Sequence, residues 1–400
     1  MNDDDLILRV AAFGDGVTHD GRHIPHAAPG DRLNPDGGLI HGPHHVTPSC
    51  PHFPLCGGCQ LQHLDEESLA GFVHDRVLHA LAAQKVTAGQ VMPVHLSPKA
   101  SRRRIAVRSA WSGNKFQLGF STEKSHRIID LVNCDVMAPV LFLLMNPLRR
   151  FLAQRVGPKR NVQVKLAVTD QGIDMLIEHL EVAGLEGHEA LSDFAKANGL
   201  ARLSLDDGDG PISYWEPEPV TVTLGGVPVA YPPYAFLQAT NDGEEALVAA
   251  VSAVLGQVKL VADLFAGLGT FALSIGEGRK VYAAEADRTA ILALKSAAGL
   301  ANRTIFTEHR DLFRRPLSGQ ELNRFEAVIL DPPRAGAREQ VGQLANSKVP
   351  TIAYVSCNPG SFARDAKQLV EGGYRLQRIW SVGQFRWSTH VELVGEFIRQ

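Results

Sequence analysis

The C-terminal half of the chain alternates short apolar runs with longer stretches of helical periodicity. Residues 258–264, 280–284 and 325–330 are apolar and rich in β-branched positions, as buried strands are, and helix-like segments separate them. Strands that alternate with helices favour parallel pairing in one sheet. The pattern therefore predicts a doubly wound parallel α/β domain over residues 219–400.

The N-terminal half has a different pattern. Strand-like runs at residues 105–108 and 162–166 predict a central α+β domain over residues 94–218. Apolar positions at helical spacing predict a helix over residues 66–84, which follows a cysteine-rich loop in the segment 46–93. Residues 1–45 combine one strand-like run with Gly-rich turns, and they predict an abbreviated small β-barrel.

Composition limits the classes of protein to consider. No apolar run reaches the ~18 residues of a membrane span, and the acidic residues 1–5 do not resemble a secretory leader. We therefore expect a cytoplasmic protein that has no membrane partner. The net charge is only −3, but residues 99–165 contain fourteen Lys and Arg against three acids. Such a local excess favours a surface that binds phosphates, as in nucleic acids.

A candidate cofactor site follows the first strand of the C-terminal domain. The strand at 258–264 leads into a Gly-x-Gly turn at Gly267 and Gly269, and the next two strand signals end near Glu285 and Asp311. A dinucleotide fold is the alternative, but a pyrophosphate is poorly served by several carboxylates. A cationic sulfonium is well served by them. We therefore expect S-adenosylmethionine as the ligand.

The reactive centre is predicted from one cysteine and one proline-rich loop. Cys357 follows a buried strand, and the loop at residues 331–334, Asp-Pro-Pro-Arg, ends a neighbouring strand. Enzymes that methylate exocyclic nitrogens usually end this loop with an aromatic residue rather than Arg334, and cytosine C5 enzymes tend to have a cysteine soon after such a proline pair, which this chain does not. Carbon 5 of uracil is therefore the expected target. A thiolate that adds to carbon 6 of uracil activates carbon 5 for methylation, and a general base must then remove the carbon 5 proton. Glu392, at the start of an otherwise apolar final strand, is the expected base, and His390 is the second candidate.

The other four cysteines form a separate pattern. Cys50, Cys56 and Cys59 lie in one ten-residue loop, and Cys134 comes much later. Four thiolates suit a [4Fe-4S] cluster. Because the surrounding segment is rich in histidine, a zinc site of three cysteines and one histidine is the alternative.

Three motifs together resemble the RNA (uracil-5-)-methyltransferase family. They are Asp-Pro-Pro-Arg-x-Gly at 331–336, Ser-Cys-Asn-Pro at 356–359 and Phe-x-Gln-x-x-Asn at 236–241. The resemblance implies that Cys357 is the nucleophile and Glu392 the base. It also implies a TRAM- or OB-like N-terminal segment, and it favours iron–sulfur for the cysteine loop. The residues that it assigns to S-adenosylmethionine are Gln238, Phe265, Thr270, Glu285, Asp311 and Asp331.

The same resemblance bears on the substrate. Ribosomal-RNA members of the family carry the cysteine pattern, so we expect 5-methyluridine formation in large-subunit (23S) ribosomal RNA by a monomer without an obligatory protein partner. Methylation of transfer RNA is the alternative within the enzyme class. A catalytically idle RNA-binding or ribosome-assembly factor and an iron–sulfur redox protein are the alternatives outside it.

Overall fold

The computed structural model describes residues 3–123 and 125–400, and it divides into two compact units. The first combines the N-terminal residues up to Phe72 with Pro98–Val220 and Phe385–Thr389, and the second combines Val73–Ser97, Thr221–Gln384 and His390–Gln400. Met1, Asn2 and Lys124, which contributed to the expectations on the N-terminus and the basic segment, lie outside the described residues. Within these residues, no helix has the length and apolar character to cross a membrane.

The N-terminal segment contains short antiparallel strands rather than long ones. One small sheet has the order β1-β2-β3, and β4 pairs with β5. The predicted strand near residues 6–10 and the predicted helix over 66–84 are confirmed, the latter as α1. The elements are β1 (Ile7–Val10), β2 (Gly16–Thr18), β3 (His23–Ile24), β4 (Arg32–Leu33), β5 (Leu39–Ile40), α1 (Glu66–Ala83), β6 (Gln90–Val91) and β7 (His95–Leu96), after a 3₁₀ turn at Asp3–Asp5.

The central segment folds around a mixed sheet. In the described part of this segment the strand order is β10-β9-β8-β11-β12-β13-β14, and every pair is antiparallel except β12 with β13. Leu141, Leu144 and Leu148 recur at helical spacing and bury one face of α2 in the core of this segment. The elements are β8 (Arg104–Ser112), β9 (Lys115–Ser121), β10 (Ile128–Asp130), α2 (Pro139–Ala153), β11 (Gln163–Thr169), β12 (Gly172–Glu178), α3 (Gly184–Ala197), β13 (Leu200–Asp206) and β14 (Ile212–Trp215).

The C-terminal segment forms the predicted α/β sheet. Its order is β19-β18-β17-β20-β21-β23-β22-β6, with β7 also paired to β22, and the strands from β17 to β21 are parallel. The elements are β15 (Thr221–Leu224), β16 (Val227–Ala230), α4 (Asn241–Leu255), β17 (Leu260–Leu264), α5 (Thr270–Ile275), β18 (Lys280–Glu285), α6 (Arg288–Leu300), β19 (Ile305–His309), α7 (Gly319–Leu322), β20 (Ala327–Leu330), α8 (Arg338–Ala345), β21 (Thr351–Ser356), α9 (Pro359–Glu371), β22 (Tyr374–Gly383) and β23 (Glu392–Arg399).

Two predicted strands begin later than their apolar runs. The strand predicted over 258–264 begins at Leu260, and that predicted over 325–330 begins at Ala327. The Lys259 N–H donates to the Glu326 carboxylate at 2.6 Å instead of to a ladder carbonyl. A side-chain hydrogen bond from a residue 67 positions away therefore takes the place of strand pairing for this N–H group.

The last strand enters the sheet against the direction of its parallel neighbours. β23 lies between β21 and β22 and runs antiparallel to both. Its first residue, Glu392, consequently reaches the same edge of the sheet as the C-terminal ends of β17, β20 and β21. In a doubly wound sheet, this edge is where ligands bind.

The turn between β17 and α5 requires a glycine. Gly269 has φ +94°, and a Cβ at this position would lie 2.4 Å from Leu294 Cδ1. We expect Gly269→Ala to lower the free energy of unfolding by about 1–3 kcal/mol, from left-handed strain and overpacking. Gly299→Ala, at a helical position with nothing within 4 Å, should be neutral or stabilising by up to about 1 kcal/mol. Chemical denaturation of both variants tests this, and equal stabilities would contradict it.

Candidate active site

The loop after β17 is held against the end of β18 by its backbone. The N–H groups of Phe265 and Ala266 both donate to the Ala284 carbonyl, at 3.0 and 3.1 Å, and Phe265 has φ +65°. Gly267 also takes a left-handed conformation, with φ +54°. A bulky residue with positive φ is strained, and such strain concentrates at ligand sites.

Glu285 is fixed by the backbone on both sides of its carboxylate. Its Oε2 accepts from the Gly267 N–H at 2.9 Å, and its Oε1 accepts from the Asp287 N–H at 2.8 Å. The carboxylate is therefore preorganised at the C-terminal end of β18. A carboxylate in this position after a Gly-rich turn is suited to binding ribose hydroxyls.

A cavity of about 460 Å³ opens at this edge of the sheet. It brings together most of the residues that the sequence predicted to act in one site, and Arg334 joins them. The predicted residues that line it are Gln238, Phe265, Thr270, Glu285, Asp331, Cys357 and Glu392.

Asp311 is not among the described residues that line the cavity. Its Oδ1 instead accepts from the N–H groups of Phe313 and Arg314, at 3.0 and 3.2 Å. Phe313 lines the cavity and packs its ring 5.3 Å from that of Phe265. Phe313 was missed in the sequence, although an aromatic residue two positions beyond a predicted ligand is a recognisable signal.

The strand pairing brings the two predicted catalytic residues to the same edge of the sheet. β21 and β23 are antiparallel, and Ser356, the last residue of β21, pairs with Leu393. Cys357 comes directly after Ser356, just beyond β21, and Glu392 precedes Leu393 as the first residue of β23. The thiol and the carboxyl both line the cavity at this edge.

Three carboxyl groups near the cavity have strongly raised pKa values. Burial, and then the charges of Asp331 and Glu285, raise the pKa of Asp263 to about 8. Burial and the Glu285 charge raise the pKa of Asp331 to about 7. Burial and the Asp331 charge raise the pKa of Glu392 to about 8, against the opposing effects of a Gln384 hydrogen bond and of Arg334. The site is thus short of positive charge.

The pKa of the Cys357 thiol is raised by the same surroundings. Burial, then Glu392 and Asp331, raise it to about 11, whereas Arg334 acts in the opposite direction. The resting thiol is therefore protonated at neutral pH. Arg334 supplies a nearby positive charge, but it does not outweigh burial and the two carboxyl groups.

The Asp-Pro-Pro-Arg loop is tied to the helix that follows Cys357. The Arg334 carbonyl accepts from Asn358 Nδ2 and from Ser361 Oγ, both at 3.0 Å. The buried Asp365 carboxylate on α9 accepts from the Ala337 N–H at 2.9 Å and from the Tyr354 hydroxyl at 2.7 Å. Asp365 thereby links the loop, the β21 strand and α9. It was missed in the sequence, because an acid inside a helix carries no mark of such a role.

His390 lies beside Arg334 rather than in the cavity wall. The Arg334 Nη2 atom is 3.4 Å from both ring nitrogens of His390. Of the two predicted bases, Glu392 lines the cavity, whereas His390 is not among the described residues that do so. The geometry favours the carboxylate over the imidazole as the base.

A second candidate site lies in the first unit. The cysteine loop rests on β9, where the Gly57 N–H donates to the Ser121 carbonyl at 3.0 Å and Cys56 bridges to Thr122. A Cβ on Gly57 would lie 2.8 Å from the Ser121 oxygen, so the close approach requires glycine. The residues that line the small cavity here include the cysteines Cys50, Cys56, Cys59 and Cys134, with Phe53, Phe120, Leu131 and Val136.

No described histidine lines this cysteine cavity. The nearest in sequence, His52, accepts the Val132 N–H at its Nε2 atom, at 3.0 Å. His44 and His45 bond to Asp65 and Asp31. Among the described residues, no group of three or more His, Cys, Asp or Glu side chains is arranged to hold a single metal ion.

Comparison with known proteins identifies the family. Residues 235–399 match the family described as tRNA (Uracil-5-)-methyltransferase. An uncharacterized RNA methyltransferase of Zymomonas mobilis is 50% identical over 393 residues, which cover 98% of this chain and 99% of that protein. The chain belongs to the RNA (uracil-5-)-methyltransferase family. The resemblance predicted from the three motifs is confirmed.

Two further relatives of this methyltransferase have more specific descriptions. The 23S rRNA (uracil(1939)-C(5))-methyltransferase RlmD of Yersinia enterocolitica is 30% identical over 368 residues, covering 89% of this chain and 82% of that protein. The structure of the Pyrococcus abyssi tRNA (uracil-54, C5)-methyltransferase in complex with S-adenosyl-L-homocysteine superposes with a TM-score of 0.76 at 25% identity. It covers 98% of this chain and 99% of that chain.

The methyltransferase uses S-adenosylmethionine and acts on RNA, and its cavity fits that cofactor. Asp263 is not among the described residues that line the cavity, but it is buried near the end of β17, and its Oδ1 atom has no hydrogen-bond partner among the described residues. Asp331 and Glu285 add negative charge, and the Phe265–Phe313 pair supplies a flat apolar surface. A sulfonium cation with an attached adenine ring matches this combination of negative charge and aromatic surface.

The charge of the cavity predicts a pH-dependent response to S-adenosylmethionine. A carboxyl group whose pKa is raised in the folded protein lowers the free energy of unfolding as pH rises. The loss begins near the pKa of the group in the unfolded chain and continues through its pKa in the folded protein. Asp331 and Glu392, with pKa values of about 7 and 8, lose their protons in this interval. A bound cation offsets that cost. We therefore expect S-adenosylmethionine to raise the unfolding temperature more at about pH 8 than at about pH 6.

S-adenosylhomocysteine is the matched control, because it has the same adenine and amino-acid groups without the sulfonium charge. The rise in unfolding temperature that S-adenosylhomocysteine causes should increase less between about pH 6 and about pH 8 than the rise that S-adenosylmethionine causes. Differential scanning fluorimetry with both ligands measures this. Equal growth for the two ligands would contradict the idea that these carboxylates stabilise the sulfonium.

Proposed function

We propose that this methyltransferase forms 5-methyluridine in 23S ribosomal RNA, with Cys357 as the nucleophile and Glu392 as the general base. The observation that carries the mechanism is that these two side chains, one directly after β21 and one at the start of β23, line one cavity with Glu285 and Asp331. A nucleophile and a base on the same side of a cofactor pocket are what carbon 5 methylation requires.

The bound cofactor supplies a methyl group on an electrophilic sulfonium. Cys357 loses its proton to solvent and its Sγ atom bonds to carbon 6 of the uracil, which makes carbon 5 an enolate-type nucleophile. Carbon 5 would take the methyl group as the sulfur–methyl bond breaks, with the neutral thioether S-adenosylhomocysteine as the leaving group, and would for a time carry both the methyl group and its own proton. Glu392 takes the proton, the carbon 5–carbon 6 double bond forms again, and the Sγ–carbon 6 bond breaks to restore the thiolate.

The charges of the cavity suit this order of events. Glu392 has a pKa of about 8, so it is poised to accept a proton near neutral pH. The raised pKa of Cys357 keeps the thiol inactive in the empty site. Positive charge from Arg334, and from the sulfonium when it is bound, favours the thiolate. A uridine must also be flipped out of its RNA context to reach the cavity.

Ribosomal RNA is favoured as the substrate by the cysteine set. Together with the likeness to RlmD, all four cysteines around one cavity support a ribosomal-RNA enzyme. Transfer RNA is the second candidate, because the superposition on the Pyrococcus abyssi tRNA enzyme covers nearly the whole chain. Mapping 5-methyluridine in ribosomal and transfer RNA from a deletion strain tests the choice. Loss confined to transfer RNA would refute the ribosomal assignment.

We also propose that Cys50, Cys56, Cys59 and Cys134 hold a [4Fe-4S] cluster. Four thiolates and an apolar surround are the ligand set of such a cluster. A cubane is larger than one ion, so its ligand sulfurs lie farther apart than those around a single zinc. A site of three cysteines and one histidine has less support, because none of the described residues that line this cavity is a histidine.

Glu392→Gln should behave differently from Cys357→Ala. With the thiol present, addition to carbon 6 and methyl transfer remain possible, but an amide cannot accept the carbon 5 proton. The variant should accumulate a covalent protein–RNA adduct that carries the methyl group. A denaturing gel with labelled cofactor detects it. Cys357→Ala should form neither adduct nor product while still binding S-adenosylmethionine.

The exposed Glu371 at the end of α9 offers a matched control, and Glu371→Gln should give normal product without adduct. Free product from Glu392→Gln at a near-normal rate would exclude Glu392 as the base and make His390 the next candidate. Measurable turnover by Cys357→Ala would exclude the covalent mechanism.

The iron content of the protein tests the cluster independently of activity. Protein purified without oxygen should be brown and contain about four irons per chain, as one cubane requires. Cys134→Ala should lose the colour and most of the iron, whereas Cys357→Ala should keep both. Stoichiometric zinc without iron would reverse the assignment and would remove the main reason to favour ribosomal over transfer RNA.

A further inference from the structure

Gln384 follows β22 and has a buried side chain with a fixed orientation. Its Oε1 atom accepts from the Ala239 N–H at 2.9 Å. A backbone N–H can only donate, so the other end of the amide must be the nitrogen. That Nε2 atom donates to Gln238 Oε1 at 2.7 Å. The amide thus holds two consecutive residues of the Phe-x-Gln-x-x-Asn segment.

The same amide reaches the proposed base. The Gln384 side chain lies within hydrogen-bonding reach of the Glu392 carboxyl and lowers its pKa, although burial and the Asp331 charge keep that pKa above its usual range. The register explains the proximity, because Val382 pairs with Glu392 and Gln384 lies just beyond that pair. One side chain therefore contacts both the Gln238 segment and Glu392.

The packing around Gln384 leaves little room for another arrangement. A Cβ on Gly243, in the first turn of α4, would lie 2.7 Å from Gln384 Cβ and 3.1 Å from its Oε1 atom. The Gly243 N–H in turn donates to Thr240 Oγ1, which bonds to Ser97 Oγ at 2.9 Å. Gly243 allows the helix start to approach the amide closely, and the hydroxyl pair holds it there.

We propose that Gln384 is a positioning residue that joins the Gln238 segment and Glu392 into one hydrogen-bonded wall of the active site. The inference rests on the proposed role of Glu392 as the base. Gln384 would hold the carboxyl toward the substrate and favour its ionised form when the Gln238 segment is in place.

The chemistry of an amide suits this role. The charged or titratable groups that act on Glu392 or face it are Asp331 and Arg334, and Cys357 across the strand pair. A second cation at position 384 would also favour an ionised Glu392, but it would repel the sulfonium. A neutral donor stabilises the carboxylate without adding net charge to a cation-binding cavity.

Gln384→Met tests the proposal, because methionine has a similar length but cannot donate. Without the hydrogen bond, the pKa of Glu392 rises, and less of the base is ionised at a given pH. Product formation at about pH 7 should fall about ten- to a hundredfold and recover as pH rises, since a hydrogen bond to a charged group corresponds to about one to two pKa units. The methylated covalent adduct should accumulate at the lower pH.

Gln340→Met is the matched control. Gln340 is equally buried in the same unit, and its amide exchanges two hydrogen bonds with the Leu317 backbone, at 2.8 and 3.1 Å. Its loss should lower stability without shifting the pH–rate profile. Gly243→Ala, which crowds the amide instead of removing it, should shift the profile in the same direction as Gln384→Met. It provides the test if the methionine variant does not fold.

The outcomes separate this inference from the proposed function. A pH-independent loss of activity in Gln384→Met, without adduct, would overturn the positioning role while leaving Glu392 as the base. An unshifted profile in a folded Gly243→Ala variant would overturn it as well. Free product from Glu392→Gln at a near-normal rate would instead refute the proposed function itself. The expected result is a shifted profile in both variants and an unshifted one in Gln340→Met.

Discussion

The burial of several carboxyl groups close together at one edge of the sheet is the constraint on which the active site depends. Asp263, Glu285, Asp331 and Glu392 meet at this edge, and burial together with mutual repulsion raises the pKa values of three of them. Such an arrangement costs free energy unless a cation or a proton compensates it. A cavity of this kind suits a cationic ligand such as the sulfonium of S-adenosylmethionine. The same burial and the same carboxyl groups raise the pKa of the Cys357 thiol.

The antiparallel entry of β23 brings the proposed base to the same edge as the cofactor cavity. Parallel strands place their C-terminal ends at the ligand edge, whereas β23 brings its N-terminal residue, Glu392, to that edge. Cys357 comes directly after the last residue of β21, the strand with which β23 pairs. Residues at the ends of paired strands are held more rigidly than residues within long loops, which suits the proposed nucleophile and base, since they must act in sequence on one ring.

Neighbouring side chains complete this geometry from positions that do not react. Asp365 joins α9 to β21 and to Ala337, and Asn358 and Ser361 hold the Arg334 carbonyl beside Cys357. Gln384 bonds to Gln238 and is the neutral amide proposed to position Glu392. Asp365 and Gln384 are buried and hydrogen bonded, as most buried polar groups are. The precision of the cavity is thus supported by residues that sequence motifs do not include.

The amino-acid sequence by itself determined the fold class, the family and most of the cavity, because strand periodicity and short motifs are local signals. Cys357, Glu285 and Asp331 could be predicted since each directly follows or ends an apolar strand run. Only the tertiary structure decided that Phe313 rather than Asp311 lines the cavity, and that Gln384 and Asp365 support it. Asp365 bonds to Ala337, which lies 28 residues away in the chain, and Gln384 bonds to Gln238, which lies 146 residues away. Long-range pairing leaves no periodic trace in the chain, so strand order and register had to be known first.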